Sequence, residues 1–121
     1  MKLIVSFVLA LLLLGSVAQA SEPEYTGKGQ EKSWTIEHDS GYVVYMAYGM
    51  SYKLGEIKGS LSRGVLGVFQ PPKEGKTMDL RLTDGILFRC SSEEEAKAQY
   101  LELDQQAKDN NWLVTNRVPL N

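Results

Sequence analysis

The chain has 121 residues, 43% of them hydrophobic, which is enough for one small domain with a single core. Its 13 basic and 15 acidic residues argue against a nucleic-acid partner, because phosphate binding needs a cationic surface. Cys90 is the single cysteine, which excludes an intramolecular disulfide and a metal site of several cysteines. We expect no metal and no cofactor, since no group of ligand-type residues stands out along the chain.

The first twenty residues have the pattern of a cleaved secretory signal peptide. Lys2 carries a positive charge, and residues 3–14 form a nearly unbroken apolar run. Small side chains then precede the cut expected between Ala20 and Ser21. A dozen apolar residues span about 18 Å as a helix, too short for a hydrocarbon core of about 30 Å. The pattern therefore favours cleavage over a membrane anchor.

Export places the mature chain in the periplasm or outside the cell. Removing Lys2 leaves 12 basic against 15 acidic residues, a net charge of −3. No second apolar run follows in the sequence, so we expect no membrane span after cleavage. Small extracellular eukaryotic domains usually contain several disulfides, so their absence here favours a bacterial periplasm.

The mature chain is predicted to begin with a flexible leader over residues 21–31, which are polar and contain one proline and two glycines. A single small α+β domain is expected over residues 32–121. Trp34 and Ile36 alternate with polar neighbours and indicate its first strand, which a turn at 39–41 follows.

Residues 42–52 give the strongest strand pattern in the chain. The even-numbered positions, among them Tyr42, Tyr48 and Tyr52, share one face, and the odd-numbered positions, with Tyr45, share the other. Both faces are largely apolar, so we expect a central strand.

Two further strands are predicted over residues 54–61 and 63–70, where repeated glycines indicate bulges, sharp twist or close backbone approach. Pro71 and Pro72 end the second of these strands, because neither residue can donate to a ladder. The segment from Pro71 to Lys76 is therefore expected to be an exposed loop.

Residues 78–90 predict a β-hairpin, because apolar side chains alternate on both sides of Asp84 and Gly85. A loop of three residues ending at Gly85 keeps the two apolar faces matched and puts Gly85 in the left-handed conformation. Cys90 then lies on the same face as Leu80, so we expect a buried and unreactive thiol.

An amphipathic helix is predicted after the hairpin. Ser92 and Glu95 form a capping box, apolar residues recur at helical spacing, and Asn110 ends the helix. Residues 112–118 are expected to return as a last strand. The whole pattern predicts a mainly antiparallel sheet of five or six strands with one C-terminal helix packed on a face.

No catalytic residues are indicated. His38, the only histidine, lies beside two carboxylates, but neighbours along a strand point to opposite faces and a triad is assembled from separated segments. We expect a surface histidine. Cys90 and His38 would form a thiolate pair only if Cys90 lay outside the core.

Five residues are candidates for ligand binding. Tyr45 lies opposite the other tyrosines of its strand, where its ring could stack on a sugar, although ordinary sheet packing also explains these tyrosines. The other four, Pro71, Pro72, Lys73 and Lys76, belong to the expected exposed loop.

The observations together predict an exported, non-enzymatic binding module that acts on a protein partner as an inhibitor, an accessory subunit or an assembly factor. The alternative is a domain that binds a cell-envelope glycan or a small ligand through the tyrosine-rich strand. A small hydrolase that uses Cys90 or His38 is the third hypothesis.

Overall fold

A computed structural model describes residues 22–120 of the protein, so the predicted signal peptide and its cleavage site lie outside the described residues. The described elements are, in chain order, β1 (Glu24–Tyr25), β2 (Glu31–Glu37), a 3₁₀ turn (His38–Ser40), β3 (Tyr42–Leu54), β4 (Ile57–Phe69), β5 (Thr77–Cys90), α1 (Glu93–Asp109) and β6 (Asn116–Val118). These six strands form one sheet with the helix on one face, which confirms the predicted α+β class.

The sheet is built around β3 and β5. Strand β3 pairs in antiparallel fashion with β4 on one side and with β5 on the other, as expected of a central strand. The outer edge of β5 carries β1 and β2, and the outer edge of β4 carries the short parallel strand β6. No helix among residues 22–120 is long and apolar enough to cross a membrane.

The three longest strands, β3, β4 and β5, are each irregular where they cross the same part of the sheet. We call this band the corner (Tyr48, Arg63, Gly64 and Asp84). In β3, odd-numbered residues up to Ala47 face the core inside the sheet, whereas from Met50 onward the even-numbered residues do so. Strand β5 makes the same switch on the two sides of Asp84. Strand β4 has a bulge instead, with Arg63 and Gly64 both left-handed at φ 69° and 95°.

The sheet is strongly curled as a result. Phe69 is the cross-strand partner of Val43, yet its ring lies 5.5 Å from that of Tyr52, nine residues further along β3. Nine residues of a straight strand would separate them by about 30 Å, so β3 must bend through the corner. The curl encloses an inner core, which consists of Trp34, Ile36, Val43, Tyr45, Ala47, Met50, Val65, Met78, Leu80, Leu82 and Leu87.

A second core lies on the face that α1 covers. The helix begins where the Ser92 hydroxyl accepts a hydrogen bond from the Glu95 amide at 3.1 Å, which is one half of the predicted capping box, and it is capped at Asn110. The Glu95 carboxylate accepts its bond from the Ser91 amide, at 2.9 Å, and not from that of Ser92. The apolar stripe of α1 then packs on the sheet. This helix-side core consists of Val44, Leu66, Val68, Cys90, Ala96, Leu103, Ala107 and Val114.

The hairpin predicted at Asp84 and Gly85 is wrong, because β5 runs through both residues without a break. The left-handed residue is Asp84, at φ 50°, and not Gly85. Gly85 is required for a different reason: a Cβ there would lie 2.5 Å from the Cβ of Ala47 on β3. Asp84 and Gly85 favour a turn, but here they lie inside one long strand. Pairing with β3 on both sides of them keeps the strand continuous.

The strand face predicted for residues 42–52 is correct only as far as the corner. Met50 and Tyr52 pack with Tyr45 in the inner core, whereas Tyr42 packs on the opposite side with the helix. A period of two cannot be extended through an irregular position, because the irregularity moves every later side chain to the other face.

The chain joins the sheet earlier than the predicted leader implied. Within residues 21–31, Glu24–Tyr25 pairs with β5, and the Glu24 carboxylate accepts hydrogen bonds from Arg89 Nε at 2.8 Å and Trp34 Nε1 at 3.0 Å. The last strand is shorter than the predicted 112–118 and pairs with β4 in parallel.

Candidate functional site

The loop after β4 crosses one end of the curled sheet. Because β4 and β5 both run antiparallel to β3, they are parallel to each other, and a connection between parallel strands usually needs a dozen residues. Residues 70–76 are sufficient here because the curl brings the two strand ends together. Pro72 is buried, and its carbonyl accepts a hydrogen bond from His38 Nδ1 at 2.8 Å, which anchors the loop.

This loop forms one wall of a cavity of about 810 Å³, which we call the basic groove. Its apolar lining comes from Leu54, Phe69, Pro71, Pro72 and Met78, and its charged lining from Lys53, Lys73, Lys76 and Asp79. Four of the five predicted binding residues therefore meet in one place. Of these four, Lys73 and Lys76 are exposed, whereas Pro72 contributes only through the edge of a buried ring.

Tyr45, the fifth predicted residue, cannot contact a ligand. Its side chain is fully buried in the inner core, where its ring stacks on Phe69 at 5.3 Å and its hydroxyl donates to Met50 Sδ at 3.5 Å. Burial raises the pKa of the phenol far above its usual range. The prediction for this residue is wrong, because an odd-numbered position before the corner faces inward.

A second surface, which sequence reasoning missed, lies over the corner. It is a cavity of about 450 Å³, and we call its side chains the corner patch (Tyr48, Arg63, Asp84, Trp112 and Leu113). Tyr48 is 55% exposed, Trp112 39% and Leu113 73%, which is unusual for three large apolar side chains in contact with one cavity.

The chain after α1 is held against the corner by its backbone. The Thr115 amide donates to Gly64 O at 3.0 Å, and the Thr115 hydroxyl donates to Arg63 O at 3.0 Å. A side chain at residue 64 would collide with the carbonyl of Leu113, so a glycine there permits the close approach. These contacts bring Trp112 and Leu113 beside Tyr48 of β3.

Backbone strain is concentrated at the corner patch. Among residues 22–120, the non-glycine residues with positive φ are Arg63 at 69°, Asp84 at 50° and Asn111 at 57°. The first two line the patch, whereas Asn111 is the left-handed residue that often follows a helix C-cap. A left-handed arginine costs of order 1 kcal/mol or more, whereas aspartate tolerates this conformation better, and strained residues cluster at sites where function retains them.

The remaining sequence candidates are not brought together. Cys90 is buried in the helix-side core, where burial raises the pKa of its thiol to about 12, with a smaller contribution from the Glu95 carboxylate. His38 is exposed and directs Nδ1 to Pro72 instead. Within the described part of the chain, no group of three or more potential ligands could hold a metal ion.

No protein-family model, curated protein or solved structure matches this chain. Its function is therefore argued from the geometry of the corner patch and the basic groove.

Proposed function

We propose that this protein is an exported, non-enzymatic binding module that acts on a protein partner, as an inhibitor, an accessory subunit or an assembly factor. The observation that carries the proposal is the composition of the corner patch. Trp, Tyr and Arg are the residue types most enriched among those that dominate binding energy at protein interfaces. Trp112, Tyr48 and Arg63 line a single cavity, with Leu113 beside them.

The cost of building the corner patch also supports a binding role. Burying a large apolar side chain stabilises a fold by about 1.5–3 kcal/mol, and three such side chains here remain 39–73% exposed. The same patch contains left-handed Arg63 and Asp84. Exposed apolar area of this kind is removed from water when a partner covers it, and a partner that binds only the folded state stabilises the protein.

The proposal includes the location that the first twenty residues predict, the periplasm or the outside of the cell. Mass spectrometry of the natural protein tests that part directly: a mature chain that starts at Ser21 is expected. A chain that still begins at Met1 would contradict export.

Partner binding is tested with immobilised mature protein and a periplasmic or secreted extract of the source organism. We expect a stoichiometric protein partner that the wild type retains and that the double variant Tyr48→Ala, Trp112→Ala loses. The matched control is Ile57→Ala, Leu101→Ala, since these side chains are 61% and 65% exposed and neither lines the patch. Equal retention by all three proteins would remove the corner patch from the proposal.

The second candidate function, binding of a cell-envelope glycan, has one observation in its favour. Tyr48 and Trp112 present two exposed rings next to the charged side chains of Arg63 and Asp84, and sugars use both apolar and polar contacts. Co-sedimentation with insoluble cell-wall glycan distinguishes the two functions. Sedimentation of the wild type that the Tyr48→Ala, Trp112→Ala variant loses, with no protein partner captured, would favour the glycan.

The third hypothesis, a hydrolase that uses Cys90 or His38, finds no support in the surroundings of either residue. A thiol with a pKa of about 12 is protonated at neutral pH, and the thiolate is the nucleophilic form. The described polar contact of His38 is to Pro72 and not to a nucleophile.

A further inference from the structure

The basic groove carries three lysines that form none of the described ion pairs. Lys53, Lys73 and Lys76 are exposed at its rim, and none of the ion pairs among residues 22–120 involves any of them. Asp79 is the only acidic residue in the lining. A protein of net negative charge thus presents an excess of positive charge at one of its largest cavities.

The strand register shows how far the sheet balances the charge of Lys53. Its direct cross-strand partners are Lys58 on β4 and Asp79 on β5, so a like charge and an opposite charge flank it. An opposite charge in this position stabilises a sheet and a like charge destabilises it. The excess positive charge of the groove therefore lies mainly on the loop, at Lys73 and Lys76.

The two loop lysines are held in place. The Lys76 amide donates to the Lys73 carbonyl at 2.8 Å, and Gly75 between them is left-handed at φ 82°. This turn fixes the backbone positions of the two lysines, so that both side chains start from one side of the groove when they bind one ligand. Glu74 lies in the same turn but does not line the groove.

The floor of the groove requires a ligand with an apolar part. Phe69, Met78 and the two prolines line it, and Leu54 at the hairpin end is 38% exposed. Apolar area of this kind favours a buried hydrocarbon side chain by about 25 cal/mol per Å². An inorganic anion would satisfy the lysines and leave this floor uncovered.

From these contacts we infer that the basic groove is a second recognition site, which binds an acidic peptide segment with one apolar side chain. The lysines of the rim contact the carboxylates, and the floor accepts the apolar side chain. A flat anionic membrane fits less well, because it would meet the rim lysines without reaching a concave floor. The site is independent of the corner patch, which shares no lining residue with it.

The inference is tested with a fluorescein-labelled pentapeptide that has a central leucine between two aspartates and two glutamates. Fluorescence anisotropy is expected to show binding that weakens as sodium chloride is raised. The variant Lys73→Glu, Lys76→Glu should weaken binding by at least about tenfold, as should a peptide with serine in place of leucine. The single variant Lys53→Gln should also weaken peptide binding. It keeps the inference testable if the double variant does not fold.

The matched control is Lys28→Glu, Lys97→Glu, which changes net charge equally at exposed positions outside the groove. It should bind the peptide within about twofold of the wild type. Equal weakening by the control would show a general charge effect and overturn the inference. So would absence of peptide binding by the wild type, or binding only to vesicles of phosphatidylglycerol and phosphatidylcholine, which would assign the groove to a lipid surface.

Discussion

Replacing Gly67 with alanine should lower the free energy of unfolding by about 2 kcal/mol, because the new methyl group would enter a fixed aromatic ring. Gly67 is the cross-strand partner of Tyr45, and a Cβ at residue 67 would lie 2.6 Å from Cζ of that ring. The ring is fully buried between Phe69, on which it stacks, and Met50, to which its hydroxyl donates. It has no space into which to move, so either the ring or β4 must shift.

Gly59 provides a control with the same nominal collision. A Cβ at residue 59 would also lie 2.6 Å from Cζ of a tyrosine, in this case Tyr52. Tyr52 packs on Phe69 but is only half-buried, so its ring has more room to shift than that of Tyr45. Because a glycine-to-alanine change also reduces the entropy of the unfolded chain, by up to about 1 kcal/mol, we expect Gly59→Ala to be nearly neutral.

Urea unfolding followed by tryptophan fluorescence measures both variants, with an unchanged m-value as the sign that only stability differs. A loss of about 2 kcal/mol corresponds to a fall in Tm of about 8–16 °C for a domain of this size. In a Tyr45→Leu background, the same Gly67→Ala change should cost much less, since the ring is gone. Equal costs for Gly67→Ala and Gly59→Ala, or no coupling to Tyr45, would refute the packing described for the inner core.

Three further predictions concern other parts of the molecule. Arg63→Gly should raise the free energy of unfolding by up to about 1 kcal/mol, by relieving a left-handed side chain, and should abolish partner capture in the same assay. Cys90 should react slowly with a thiol reagent in the native protein and quickly in urea, since the native pKa is about 12; rapid native labelling would place it at the surface. The hydrogen bond from Arg89 holds the pKa of Glu24 below its ordinary value of 4.5, so ionised Glu24 stabilises the fold above that pH. In thermal melts, Glu24→Gln should therefore be less stable than wild type at neutral pH, with the difference shrinking as the pH falls from 4.5 through the lowered native pKa of Glu24.

Local sequence patterns predicted the elements whose causes are local. The helix cap at Ser92 depends on residues within one turn, and the strand break at Pro71 depends on the missing amide of proline. The hairpin at Asp84 failed because the competing interaction, pairing with β3 along the whole of β5, involves residues distant in sequence. Turn-forming residues show only that a segment can form a turn, and pairing with strands distant in sequence decides whether it does.

The candidate sites show the same difference between features with local causes and features with long-range causes. Lys73 and Lys76 were predicted correctly as exposed, because connecting segments usually run over the surface, whereas Pro72 of the same loop is buried against the rest of the fold. The corner patch joins residues from four separate segments, and Trp112 was assigned to a strand that begins only at residue 116. Burial of Cys90 was also expected, but on the wrong face, because the register was extended through the corner.

The left-handed conformation of Arg63 is the observation that best tests whether the corner serves only to bend the sheet. A bulge in β4 needs left-handed backbone, and Gly64 provides it without steric cost. If the bend were the only requirement, glycine or asparagine at residue 63 would satisfy it with less strain. An arginine there carries that cost, and no ion pair among the described residues involves its side chain. The proposed partner would account for the arginine, because Arg63 lines the same cavity as Tyr48 and Trp112.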